Sequence, residues 1–163
     1  VKKKKSLREK GNDFQIWIKN WLQERGWTVR NFPMTSKAIT IPIKKGSKVM
    51  KLIWVHQNND VFGSDLIAIK GRVRLWIQAS LDEHISRRTE EYSKYFTALG
   101  PYEALMIWIK RANWKSIKKV IIGTTGQMIV ADLGKIQAGK FTPAKGMYLF
   151  DFGEKIKKEK KKK

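Results

Sequence analysis

The 163-residue chain has no cysteine and only two histidines, His56 and His84. The lack of cysteine excludes disulfides and thiolate metal centres, and two isolated histidines do not give the spacing of a zinc site. No apolar run approaches the roughly 18 residues that cross a bilayer, so no membrane partner is expected. The stretch VKKKKSLREK is basic and lacks the apolar segment of a secretory signal. No repeat recurs along the chain, and no Ser-His-Asp pattern accompanies a recognisable nucleophile turn. KKGSK and GTTGQ lack phosphate-loop spacing and read as hairpin turns. These absences fit an intracellular protein of the cytoplasm or nucleoid.

Acidic residues are also scarce. Fourteen Asp and Glu face 35 Lys and Arg, for a formal charge of +21. Residues 2–5 contribute +4 and residues 155–163 contribute +6, which leaves +11 on the rest. A body this basic points to a polyanionic partner, nucleic acid first. Residues 1–6 and 154–163 read as disordered basic tails, because like charges repel and little apolar surface offsets the cost of ordering. Residues 7–153 are long enough for one domain with a sizeable core.

Hydrophobic spacing orders the elements. Phe14, Trp17, Ile18, Trp21 and Leu22 recur at helical intervals, which predicts a helix from Leu7 to Arg25 stopped at Gly26. WTVRNF alternates like a half-buried strand. Residues 36–57 predict two strands around KKGS, with Pro42 marking an edge. Residues 65–70 and 72–79 predict two strands around a tight turn. SRRTEEYSKYFTAL predicts a helix ended by Gly100-Pro101, EALMIWIKR a buried strand, and KKVIIGTTGQMIVADL a second hairpin. The fold class is α/β, a mixed central sheet with a helix on each face and an inserted β-hairpin. The seven tryptophans could stack on bases, but most fall at core periodicity.

Four segments, REKGNDFQIWIKNWLQERGWTVRNF, SDLIAIKGRVRLWIQAS, SRRTEEYSKYF and ALMIWIK, carry a family resemblance. In content and order they resemble the archaeal-type Holliday junction resolvases of the PD-(D/E)XK nuclease superfamily, over residues 8–32 and 60–133. The resemblance implies a restriction-endonuclease-like fold and Mg²⁺-dependent cleavage of branched DNA by a homodimer. It also implies a glutamate on the first helix, an aspartate opening one strand, and an acid and a lysine two apart on the next. Carried over, these positions fall on Gln15, Asp65, Gln78 and Ser80. Only Asp65 matches.

Mg²⁺ gives up water for charged oxygen ligands. Two amides and one aspartate are a poor exchange, and Ser80 supplies no cation. The expectation is therefore a DNA-binding protein on a nuclease scaffold that has lost ordinary cleavage, with no cofactor, or Mg²⁺ at Asp65 if cleavage survives. Two alternatives stay open: an active divalent-metal endonuclease with a rearranged site, drawing on Asp60, Asp82, Glu83 or Lys94, and a basic RNA-binding or assembly protein. Phosphate contacts are expected from Arg8, Lys10, Lys44, Lys45, Lys48, Arg87 and Arg88.

Overall fold

The computed structural model describes residues 5–32, 35–43, 48–57, 61–81, 85–95, 98–110, 117–122, 130–144 and 151–156. Helix α1 (Leu7–Gln23) starts where Ser6 accepts a hydrogen bond from the Glu9 amide and Glu9 accepts one from the Ser6 amide. This reciprocal cap satisfies two amides that would otherwise lack partners. Phe14, Ile18, Trp21 and Leu22 form its buried stripe. At Gly26 the backbone turns left-handed, φ +79°, and the helix ends.

The strands are β1 (Thr28–Asn31), β2 (Thr35–Pro42), β3 (Met50–Gln57), β4 (Leu66–Lys70), β5 (Val73–Ser80), β6 (Glu103–Lys110), β7 (Ile117–Ile122), β8 (Val130–Gln137) and β9 (Lys140–Pro143). A second helix, α2 (Ile85–Ser93), joins β5 to β6. Seven strands form one mixed sheet in the order β1-β4-β5-β6-β7-β8-β9. Only β5 and β6 run parallel among its described pairs, and the helix crossover between them is what a parallel pair requires.

Residue parity divides the core. Ala104, Met106 and Trp108 of β6 join Leu75 and Ile77 of β5 and the α1 stripe in one cluster. Leu105, Ile107 and Ile109 join Tyr92 and Leu99 in a second. Alternation along a strand sends neighbours to opposite faces, so β6 is buried on both sides between α1 and α2, as its continuous apolar sequence requires.

β2 and β3 form a separate two-stranded sheet, paired from Thr35↔Gln57 to Pro42↔Met50. The inserted hairpin is therefore present, while its KKGS tip at residues 44–47 lies outside the described residues. Two features depart from the sequence reading. The second helix stops at Ser93, six residues short of Leu99, where Tyr95 and Ala98 make tight i→i−3 turns. An additional strand, β9, pairs with β8. Its four residues are too few to show a periodicity, and Gly134 makes room for it. A Cβ there would clash with the Thr142 carbonyl oxygen, a backbone atom that no change of rotamer can move away.

Lys155 and Ile156 are held against the end of α1. The Ile156 amide donates to the Glu24 carbonyl at 2.8 Å, and Lys155 pairs with the Glu24 carboxylate at 3.0 Å. Phe152 is buried against Trp21, Trp108 and Phe141.

Candidate functional site

Two parallel strands end side by side, β5 at Ser80 and β6 at Lys110. β4 runs the other way, so Asp65, just before its first residue, lies at this same end of the sheet. Ends of this kind, at the carboxyl termini of parallel strands, are where α/β sheets hold ligands.

Asp65 prolongs the β4–β5 ladder by one step. Its amide donates to the Ile77 carbonyl and its Oδ2 accepts the Ala79 amide, at 2.9 and 2.8 Å. The register places Asp65 beside Gln78, on the face that Ser80 shares. Three of the four positions named from the sequence are thus brought together. Gln15 approaches from the other face. Lys110 Nζ stands 6.0 Å from the centroid of the Phe14 ring, so the α1 turn holding Asp13, Phe14 and Gln15 lies over this end of β6.

Gln78 and Ser80 face inward. The Tyr92 hydroxyl lies 2.6 Å from the Gln78 side chain and 2.9 Å from the Gly63 carbonyl oxygen. One hydroxyl proton cannot serve two acceptors. The satisfied assignment has the Gln78 amide NH₂ donate to Tyr92 and Tyr92 donate to Gly63. A glutamate at 78 would lack that donor and would set a second carboxylate beside Asp65. Ser80 is 1% exposed, so a lysine in its place would carry its charge into the core.

The donor set therefore does not suit Mg²⁺. It offers one carboxylate already accepting a backbone amide, one amide committed to a tyrosine, and one buried hydroxyl. Among the described residues, no three His, Asp or Glu side chains gather in a metal-binding group. Asp60, Asp82 and Glu83 lie outside the described residues, and Lys94 is exposed.

Two residues here escaped the sequence reading. Tyr92 lies within the segment that predicts the second helix, and its role needs the turn at Gly63. That turn carries two successive left-handed residues, Phe62 (φ +57°) and Gly63 (φ +67°). Phe62 is held there by packing on Trp76 and Tyr95. Lys110 is the other. It is 6% exposed, and burial holds its ammonium at about 8, well below the ordinary lysine range, against the opposing pull of Asp13. Its place at the end of an apolar strand was the available signal.

Of the expected phosphate contacts, Arg8 and Lys48 are exposed and Lys10 is half-buried. Arg87 is exposed and pairs with Glu91 one turn along α2 at 3.3 Å. Lys44, Lys45 and the side chain of Arg88 lie outside the described residues, as do Trp114 and the side chain of Trp54. Trp21, Trp27 and Trp108 are buried, which makes them packing residues. No helix among the described residues is long and apolar enough to cross a membrane. Comparison with protein-family models finds none that matches this chain, and no curated protein matches it.

Proposed function

We propose that this chain binds nucleic acid, branched or duplex DNA first, on a resolvase-like nuclease scaffold whose cleavage positions now serve the fold. The carrying observation is that Asp65 accepts the Ala79 amide and the Gln78 side chain is bonded to Tyr92 at the end of the sheet where a metal would be held, so only one carboxylate stands there with two polar side chains turned to the fold. The charge of +21 supports the polyanion. Binding through phosphates survives loss of a metal site, because other side chains make those contacts. A homodimer belongs to the same reading. The hairpin exposes Ile41, Ile43, Val49, Met50 and Leu52, and a two-stranded sheet with open edges gains from a partner.

The test is binding of a four-way junction against a matched duplex across a salt series, with Mg²⁺ or Mn²⁺ added to look for cleavage. Junction-selective, salt-dependent binding without cutting is the expected result. Equal or stronger binding of RNA would favour the RNA-binding or assembly reading. A second reading is an active endonuclease with a rearranged site, drawing on Asp60, Asp82, Glu83 or Lys94 together with Asp65. Cleavage by the unmodified chain that Asp65→Ala abolishes would establish it.

A further inference from the structure

The other end of the same strands carries a second feature, and it is open. The turn between β4 and β5, Gly71-Arg72, meets the segment that leads into β6, Gly100 to Glu103. Between them is a cavity of about 460 Å³ lined by Ile69, Arg72, Arg74, Tyr102 and Glu103 with Gly71, Gly100 and Pro101. β5 has eight residues, and at about 3.3 Å each this cavity lies roughly 25 Å from Ser80.

Its residues are of three kinds. Arg72 is exposed at the turn, and no carboxylate pairs with it among the described residues. Arg74 is held in place: its Nη1 lies 3.2 Å from Glu103 Oε1, and the other carboxylate oxygen accepts the Gly100 amide at 2.9 Å. One of five guanidinium donors is thus used for positioning, and the side chain remains 56% exposed. Tyr102 is 52% exposed, yet its backbone is fixed, because its carbonyl accepts the Arg74 amide at 2.9 Å. Ile69, opposite Arg74 in the ladder and 37% exposed, adds an apolar wall.

Two arginine forks lining one cavity, one without a carboxylate partner, carry donors suited to a phosphate. An exposed aromatic ring and an isoleucine beside them form a platform for a flat, apolar face. The cavity lies within the range of small-ligand sites, about 300–1,000 Å³. We propose that it binds one nucleotide unit, with phosphate on Arg72 and Arg74 and base against Tyr102. The unit can come from a free nucleotide or from an unpaired nucleic-acid strand. The proposal stands apart from the reading of the Asp65 end.

The test titrates the full chain with adenosine 5′-monophosphate by calorimetry and with fluorescein-labelled ten-nucleotide oligothymidylate by anisotropy. Arg72→Ala, Tyr102→Ala and Tyr102→Phe are compared with Lys37→Ala, a basic substitution on the hairpin. The expected result is saturable mononucleotide binding that Arg72→Ala and Tyr102→Ala each weaken by roughly tenfold. Tyr102→Phe and Lys37→Ala should leave it within about twofold. Parallel loss of oligothymidylate binding assigns the pocket to a strand, and loss confined to the mononucleotide assigns it to a free nucleotide. No saturable mononucleotide binding, equal weakening by Lys37→Ala, or indifference to Tyr102→Ala overturns the proposal. Arg72 and Tyr102 are surface side chains, and circular dichroism of each variant checks that the fold is kept.

Discussion

The two ends of β5 hold polar residues in opposite states. At the carboxyl end, Asp65 accepts the Ala79 amide, Tyr92 is bonded to Gln78 and to the Gly63 carbonyl, and Ser80 is buried. At the amino end, Arg72, Arg74 and Tyr102 line a cavity, and the arginines keep most of their donors unused. The spacing that resembles an enzyme thus lies where the side chains hold the fold together. The end that matches no motif is the one whose polar side chains stay exposed. Motif spacing reports where chemistry can be placed on a scaffold, whereas unused hydrogen-bonding capacity reports where a ligand can still bind.

The largest effect expected is at the closed end and depends on pH. Lys110 has an ordinary value of 10.5 and is held at about 8 in the fold. Below pH 8 it is charged in both states, and its contribution to stability does not change with pH. Between pH 8 and 10.5 the unfolded chain binds more protons, so this group's contribution rises with pH. The stability of wild type relative to Lys110→Met should therefore rise between pH 8 and 10.5, by up to about 3 kcal/mol in all. Urea unfolding at several pH values measures it. A constant difference would mean that the ammonium is solvated.

Next in size, Asp65→Ala should cost about 2 kcal/mol, because it strands the Ala79 amide. Asp65→Asn keeps an acceptor and should recover most of that. If both variants are as stable as wild type, Asp65 is not part of the ladder and the closed end is less closed than described. Tyr92→Phe removes the donor to Gly63 and the partner of Gln78, and about 1 kcal/mol should be lost in the same assay. The smallest change belongs to the open end. Glu103→Gln weakens its pair with a half-exposed Arg74, for about 0.5 kcal/mol or less, and the effect should shrink further in salt. A loss above that of Tyr92→Phe would reverse the comparison.

Much of the scaffold was legible along the chain. The apolar stripe from Phe14 to Leu22, the buried run in β6 and the paired strands 35–42 and 50–57 all follow from periodicity, since burial selects residues by face. β9 was not legible, because four residues carry too little pattern and its place depends on the missing Cβ at Gly134. The candidate site was legible in part. Asp65, Gln78 and Ser80 could be grouped from two strands and a turn, but Tyr92 reaches Gln78 from 14 residues away, through a helix. Lys110 looked like an ordinary strand end until α1 covered it.

By itself, the sequence determined the charge of the chain, the α/β order of its elements and the absence of any thiolate chemistry. Each of these is a property of residue types and their local spacing. The tertiary structure alone decided which polar groups are consumed and which remain available. Hydrogen bonds such as Tyr92 to Gln78 and Arg74 to Glu103 join positions set by strand register and helix placement. Burial, which lowers the proton affinity of Lys110 and encloses Ser80, depends on what the rest of the chain lays over them.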